Sequence, residues 1–113
     1  MASIANLVCE QGTSFSSDVT VTTDSGGIYD LTGHSSYAQM AKGYATSHTR
    51  TSLTTSNNTT DGIITITLTA AQTAALEEGR YVYDVTIVKN SDSTVTRVVE
   101  GIITVNPRTS LNY

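Results

Sequence analysis

The sequence predicts an all-β fold, an antiparallel sandwich of about seven strands with one short helix, and three observations predict it. Thr and Ser together occupy 34 of 113 positions, whereas charged residues make up only 14%. Thr is a mediocre helix former but fits a pleated, half-buried surface well. Two long stretches alternate strictly between residues for opposite faces, and turn residues recur at spacings of about ten residues, the rhythm of a sandwich. A chain of 113 residues is long enough to bury one core and too short for two, so a single domain over 1–113 is expected.

In chain order, 4–10 and 18–23 read as short strands, the second placing Val19 and Val21 on one face, with Asp24-Ser25-Gly26-Gly27 as the turn after it. Ser36-Tyr37-Ala38-Gln39-Met40-Ala41-Lys42 alternates, although it could also open a helix. The strand is preferred because Gly33 and Gly43 bracket it at strand length. Residues 43–62 read as a long polar loop whose only large aliphatic is Leu53, with room for one short edge strand at 50–53. Asp61-Gly62 then turns into Ile64-Thr65-Ile66-Thr67-Leu68-Thr69, with Ile64, Ile66 and Leu68 on one face.

The helix is expected at 69–76, where Thr69 caps, Gln72 completes a capping box and alanines follow. The next strand, Tyr81-Val82-Tyr83-Asp84-Val85-Thr86-Ile87-Val88, places Tyr81, Tyr83, Val85 and Ile87 on its core face. A polar turn at 89–93 leads to a strand at 94–99. Gly101 then signals a bulge or a close backbone approach, and Pro107 ends the ladder. The predicted core is therefore Ile64, Ile66, Leu68, Tyr81, Tyr83, Val85 and Ile87.

The corner Leu76-Glu77-Glu78-Gly79-Arg80-Tyr81-Val82-Tyr83 resembles that of immunoglobulin-type domains, in which an acidic residue, a Gly and a Tyr precede a core position. The resemblance makes Tyr81 the corner tyrosine, with its hydroxyl returned to backbone a few residues upstream, and Tyr83 the core residue. A plain aromatic strand after a turn explains the same residues, and both readings give a sandwich; the fold class is thus an immunoglobulin-like antiparallel β-sandwich.

Composition excludes several functions. A net charge of −4 with six scattered Lys and Arg offers no footprint for a phosphate backbone, so direct nucleic-acid binding is not expected. No apolar run reaches the ~18 residues of a membrane span, and the N-terminus lacks the basic and apolar regions of a secretory signal. One cysteine, Cys9, permits no internal disulfide or multi-thiolate metal site, and it reads as a buried inert thiol. No Gly-x-Ser-x-Gly motif, phosphate-cradling loop or calcium-loop pattern occurs. His34 and His48 lie in polar surroundings without a third ligand nearby, and the two overlapping sequons at 57–60 fit chance abundance of Asn and Thr. No catalytic, cofactor-binding or metal-ligating set is assigned, and the chain is expected not to be an enzyme. Asp84, mid-strand, is expected to meet water or a cation such as Arg97 on a neighbouring strand.

Large, stiff rings anchor interfaces, so Tyr37, Tyr44 and Tyr113 are candidate contact residues. The chain ends, 1–3 and 108–113, extend past the last convincing strands as arms able to dock on neighbours, which adds Arg108 and Leu111.

The order of motifs is more specific than any one of them. It runs from Gln11-Gly12-Thr13-Ser14-Phe15 through Tyr29-Asp30-Leu31-Thr32-Gly33-His34, Tyr37-Ala38-Gln39-Met40 and Ile64-Thr65-Ile66-Thr67-Leu68-Thr69-Ala70 to Gly79-Arg80-Tyr81-Val82-Tyr83-Asp84-Val85. It closes on Arg97-Val98-Val99-Glu100-Gly101-Ile102-Ile103-Thr104-Val105-Asn106-Pro107. This order resembles small virion structural proteins of tailed phages, particularly those of marine and cyanobacterial hosts, which are similar to the N-terminal domain of phage baseplate upper proteins. The resemblance covers nearly the whole chain, departs at 43–62, and includes no downstream receptor-binding or trimerisation segment. It implies a non-enzymatic virion protein assembled in the host cytoplasm, without cofactors. Its expected partners are the major capsid protein, tail or baseplate proteins, or further copies of itself. Capsid decoration or cement is the leading expectation, and a tail, neck or baseplate adaptor the rival. A carbohydrate-binding adhesin is disfavoured by the absence of Trp.

Overall fold

Alternating side chains need two layers to bury their apolar faces against each other, and the chain supplies both. The computed structural model describes residues 3–22, 26–43 and 48–109. Eight strands follow in order: β1 (Ser3–Ile4), β2 (Leu7–Glu10), β3 (Phe15–Thr20), β4 (His34–Ala41), β5 (Thr51–Asn58), β6 (Ile63–Leu68), β7 (Gly79–Lys89) and β8 (Thr94–Asn106). One helix, α1 (Ala70–Ala74), separates β6 from β7. The hydrogen-bonded path runs β1-β8-β7-β4-β5-β6-β3, with β2 also on β8.

The larger layer consists of β1 and β2, β8, β7 and β4; the smaller consists of β6 and β3. β5 belongs to both. Its first residues, Thr51 to Leu53, pair with β4, and Thr54 to Asn58 pair with β6. Where β5 leaves β4, the β4 carbonyls it abandons are met by side chains: Thr55 Oγ1 donates to Ser36 O at 2.9 Å and Asn57 Nδ2 to His34 O at 3.1 Å. These bonds satisfy buried backbone acceptors without a ladder. They also explain why 43–62 reads as a loop. Half of that segment's described part is an eight-residue strand whose inward positions after Leu53 are polar.

The core joins both layers. Ile64, Ile66, Leu68, Tyr81, Tyr83, Val85 and Ile87 are all buried, together with Leu31, Met40, Val99, Ile103, Val105 and Cys9. Burial and the neighbouring Glu10 raise the Cys9 thiol pKa, which keeps it protonated and unreactive.

The sandwich departs from a purely antiparallel one at its N-terminal edge, where β1 and β2 run parallel to β8. Both strands hold one register, Ser3 opposite Val99 and Leu7 opposite Ile103, interrupted only at Ala5 and Asn6. There the Ala5 amide donates to Glu100 O at 2.9 Å, and Asn6 Oδ1 accepts from the Ile102 amide at 3.1 Å. Gly101 makes the crossing possible, because a Cβ there would collide with the Ala5 carbonyl. The signal at Gly101 thus resolves as close approach, while the bulge lies three residues earlier in the ladder at Val98.

The helix starts where the capping box predicts. Thr69 Oγ1 accepts from the Gln72 amide at 3.2 Å, and Gln72 Oε1 from the Thr69 amide at 2.8 Å. It ends at Ala74 with Ala75 as C-cap, shorter than the span 69–76.

Candidate functional site

The corner before β7 fixes how that strand enters the core. Tyr81 Oη donates to Glu77 O, four residues upstream, at 2.9 Å, the hydrogen bond expected of a tyrosine corner. The Lys42 ammonium lies 4.7 Å from the Tyr81 ring centroid and donates to Glu78 O at 2.7 Å, a cation–π contact that clamps the same corner. β7 then sends Tyr83, Val85 and Ile87 inward and Val82, Asp84, Thr86 and Val88 outward.

The outward residues build a composite face by register. Asp84 lies opposite Glu100 and Gln39, Thr86 opposite Arg97 and Tyr37, and Val82 opposite Ile102. Arg97 reaches this face only because of the bulge. Val99 pairs with Val85, but Thr86 pairs with Arg97 rather than Val98, so the extra residue Val98 is buried and Arg97 turns outward. Its guanidinium then lies 3.5 Å from Asp84 Oδ2 and 3.2 Å from Glu100 Oε2, the cross-strand pairing expected for Asp84. The three groups are about half exposed, so the cluster contributes little to stability. Arg50 lines the same shallow depression.

Apolar side chains flank this charged row on both sides. Among the described residues, six large hydrophobics are exposed: Ile4, Val8, Ile28, Tyr37, Val95 and Ile102. All except Ile28 lie on the outer face of the larger layer, since Ile4 is level with Glu100, Val8 with Thr104 and Val95 with Val88. Tyr37, at 60% exposure, is the candidate contact residue that the structure brings here.

The outer face of the smaller layer is chemically different. Its cross-strand rows are Thr54, Thr67 and Ser16, then Ser56, Thr65 and Asp18, then Asn58, Ile63 and Thr20, and Thr65 Oγ1 donates to Asp18 Oδ1 at 2.7 Å. One face presents hydrocarbon around balanced charges and the other presents mostly hydroxyls.

The remaining candidates are distributed elsewhere. Arg108 packs back on the domain, its amide donating to Gln11 Oε1 at 3.3 Å and its side chain filling the space a Cβ on Gly12 would need. It therefore belongs to the fold's edge and not to a free arm; the positive φ of Gly12 suits glycine as well. Tyr44, Leu111 and Tyr113 lie outside the described residues. His34 opens β4 whereas His48 lies beside Gly43, past the other end of the strand, so the two imidazoles share no site. Asp30 and Asp92 serve their turns: each accepts from the hydroxyl and from the backbone amide of the threonine two residues on, Thr32 and Thr94, and these bonds, the hydroxyl's foremost, hold both carboxyls below the usual range. Among the described residues no three His, Cys, Asp or Glu side chains gather as a metal site, and no helix is long and apolar enough to cross a membrane.

The exposed apolar residues at 4, 8, 95 and 102 escape sequence reading because their direction depends on register. The doublet Ile102-Ile103 is the available signal, since neighbouring strand residues point to opposite faces. No family model matches the chain, and a search of curated proteins finds no significant match.

Proposed function

We propose that this chain is a non-enzymatic structural protein of a tailed-phage particle, a decoration or cement protein on the capsid exterior. The observation that carries the reading is that five of the six large exposed hydrophobics among the described residues lie on one face of a sandwich whose opposite face carries mostly hydroxyls. Contiguous exposed apolar surface marks a place of contact, whereas a hydroxyl-covered sheet tolerates water. An accessory protein present in many copies on a shell needs that division, one side for contact and one for solvent. The order of motifs, which resembles that of small phage virion proteins, points to the biological setting.

The similarity of those proteins to the N-terminal domain of baseplate upper proteins supports a second reading, a tail, neck or baseplate adaptor. Copy number separates the two. Quantitative mass spectrometry of purified particles is expected to find the chain on the order of hundreds of times per particle for a capsid role, and about six or twelve times for a tail role. Absence from purified particles overturns both. Localisation by electron microscopy of intact particles bearing a tagged chain provides the independent check.

A further inference from the structure

The outer face of the larger layer has the size and charge balance of a self-pairing surface. It is four strands wide, and β7, near its centre, is eleven residues long. At about 4.8 Å between strands and about 3.3 Å per residue it covers on the order of 700 Å², close to the ~800 Å² that each partner gives to a standard interface. Charge narrows the choice of occupant. The chain as a whole carries −4, yet the charged groups lining this face's central depression, Arg50, Arg97, Asp84 and Glu100, sum to zero. A strongly basic or acidic partner gains nothing here, whereas a surface carrying both signs can satisfy a copy of itself.

The rows are arranged for such pairing. The Arg97 row, with Thr86 and Tyr37, lies next to the Glu100 row, with Asp84 and Gln39. A twofold axis running across the strands between these two rows brings Arg97 of one copy over the carboxylate row of the other. The same operation lays the Val88 and Val95 row of one face on the Val82 and Ile102 row of the second, and sets Tyr37 over Gln39 of the second copy. An isologous interface has this form, each patch meeting a different part of its own copy. We propose that the protein pairs with a second copy of itself, face to face through the larger layer, with Arg97 opposite Asp84 and Glu100 across the twofold. The inference does not depend on the phage reading.

Sedimentation velocity from about 1 µM to about 1 mM chain tests it. The expected result is a concentration-dependent species of twice the 12.0 kDa chain mass. Val95→Lys and Ile102→Lys, both at exposed positions, are each expected to weaken pairing about tenfold or more, with circular dichroism unchanged. Thr67→Lys, on the hydroxyl face, is expected to leave it intact. A charge swap tests the geometry. Arg97→Glu alone and Asp84→Arg/Glu100→Arg alone are expected to be monomeric, and their mixture to form the dimer. A wild-type chain that is monomeric throughout overturns the proposal and leaves the face to a different protein. A dimer lost on Thr67→Lys but kept in the Val95 and Ile102 variants overturns it too, as does a charge-swap pair that does not recover. Particle incorporation is read separately, so a dimer absent from particles counts against the phage role alone, and a monomer found on particles against the pairing alone.

Discussion

The hydroxyl of Tyr83, in the middle of β7, donates to the carbonyl of Ala5 at 2.5 Å, tying the junction between β1 and β2 to a residue 78 positions later in the chain. Gly101 lies directly opposite Tyr83 on β8, and its missing side chain leaves the gap through which that carbonyl approaches. The second aromatic of the corner therefore has a polar task that its hydrophobic neighbours cannot share. It occupies a buried position in the middle of β7, and holds the edge of the fold by a hydrogen bond.

Tyr83→Phe keeps the ring and removes the donor. A part-buried carbonyl loses its partner, so the variant is expected to cost about 1–2 kcal/mol in urea unfolding. Amide exchange should accelerate first at Ala5 and Ile102, whose bonds hold the crossing together. Unchanged exchange there would show that the hydroxyl is incidental.

Gly101→Ala puts a methyl group against the Ala5 carbonyl, a backbone atom that cannot rotate away. The expected cost is about 1–3 kcal/mol, with the N-terminal strands displaced and the rest of the sheet retained. Because displacement also breaks the Tyr83 bond, the double variant with Tyr83→Phe should cost less than the sum of the singles. Strict additivity in urea titrations would refute the shared mechanism.

Burial pushes the Tyr83 phenol up to about 12 from an ordinary value of 10. The folded state therefore holds its proton more tightly than the unfolded state. This contribution is fully present below about pH 10 and is lost as pH rises from 10 through 12. It amounts to on the order of 2 kcal/mol. Wild type should lose stability steeply over that interval, and Tyr83→Phe, lacking the phenol, should lose markedly less. Parallel curves of stability against pH would locate the alkaline transition elsewhere.

How much of this was legible in the sequence depends on what faced inward. β6 and β7 could be read residue by residue because their core positions are apolar, and the capping box at Thr69 and Gln72 marked the helix start. β5 could be read only at its start, 51–53, because beyond Leu53 Thr55 and Asn57 face inward with polar side chains whose partners are carbonyls of another strand. The contact face was legible only at Tyr37 and in the pairing of Asp84 with Arg97. Ile4 and Val8 depend on a parallel register with β8, and Arg97 faces outward only through the bulge at Val98. Such facts reside in pairings between distant segments, which local periodicity does not encode.

Thr73 is the one fully buried polar residue among the described residues, and it separates buried from exposed hydroxyls in a chain rich in both. Its Oγ1 lies 2.7 Å from Thr13 O and 3.1 Å from Ala70 O, so one proton fastens α1 to the turn between β2 and β3. Gln11 Nε2 makes a second tie, to Leu76 O at 2.8 Å. A helix of five residues has no stability of its own and depends on such ties. Thr73→Val keeps the branched shape while removing the donor, and should cost about 1–2 kcal/mol; Thr73→Ser, which keeps the donor, should cost less. Thr54→Val on the exposed hydroxyl face should stay within about 0.5 kcal/mol of wild type. The ordering Val above Ser at position 73, with position 54 near zero, is the outcome that urea titration must return. Equal effects at 73 and 54 would mean that the buried hydroxyl does not anchor the helix.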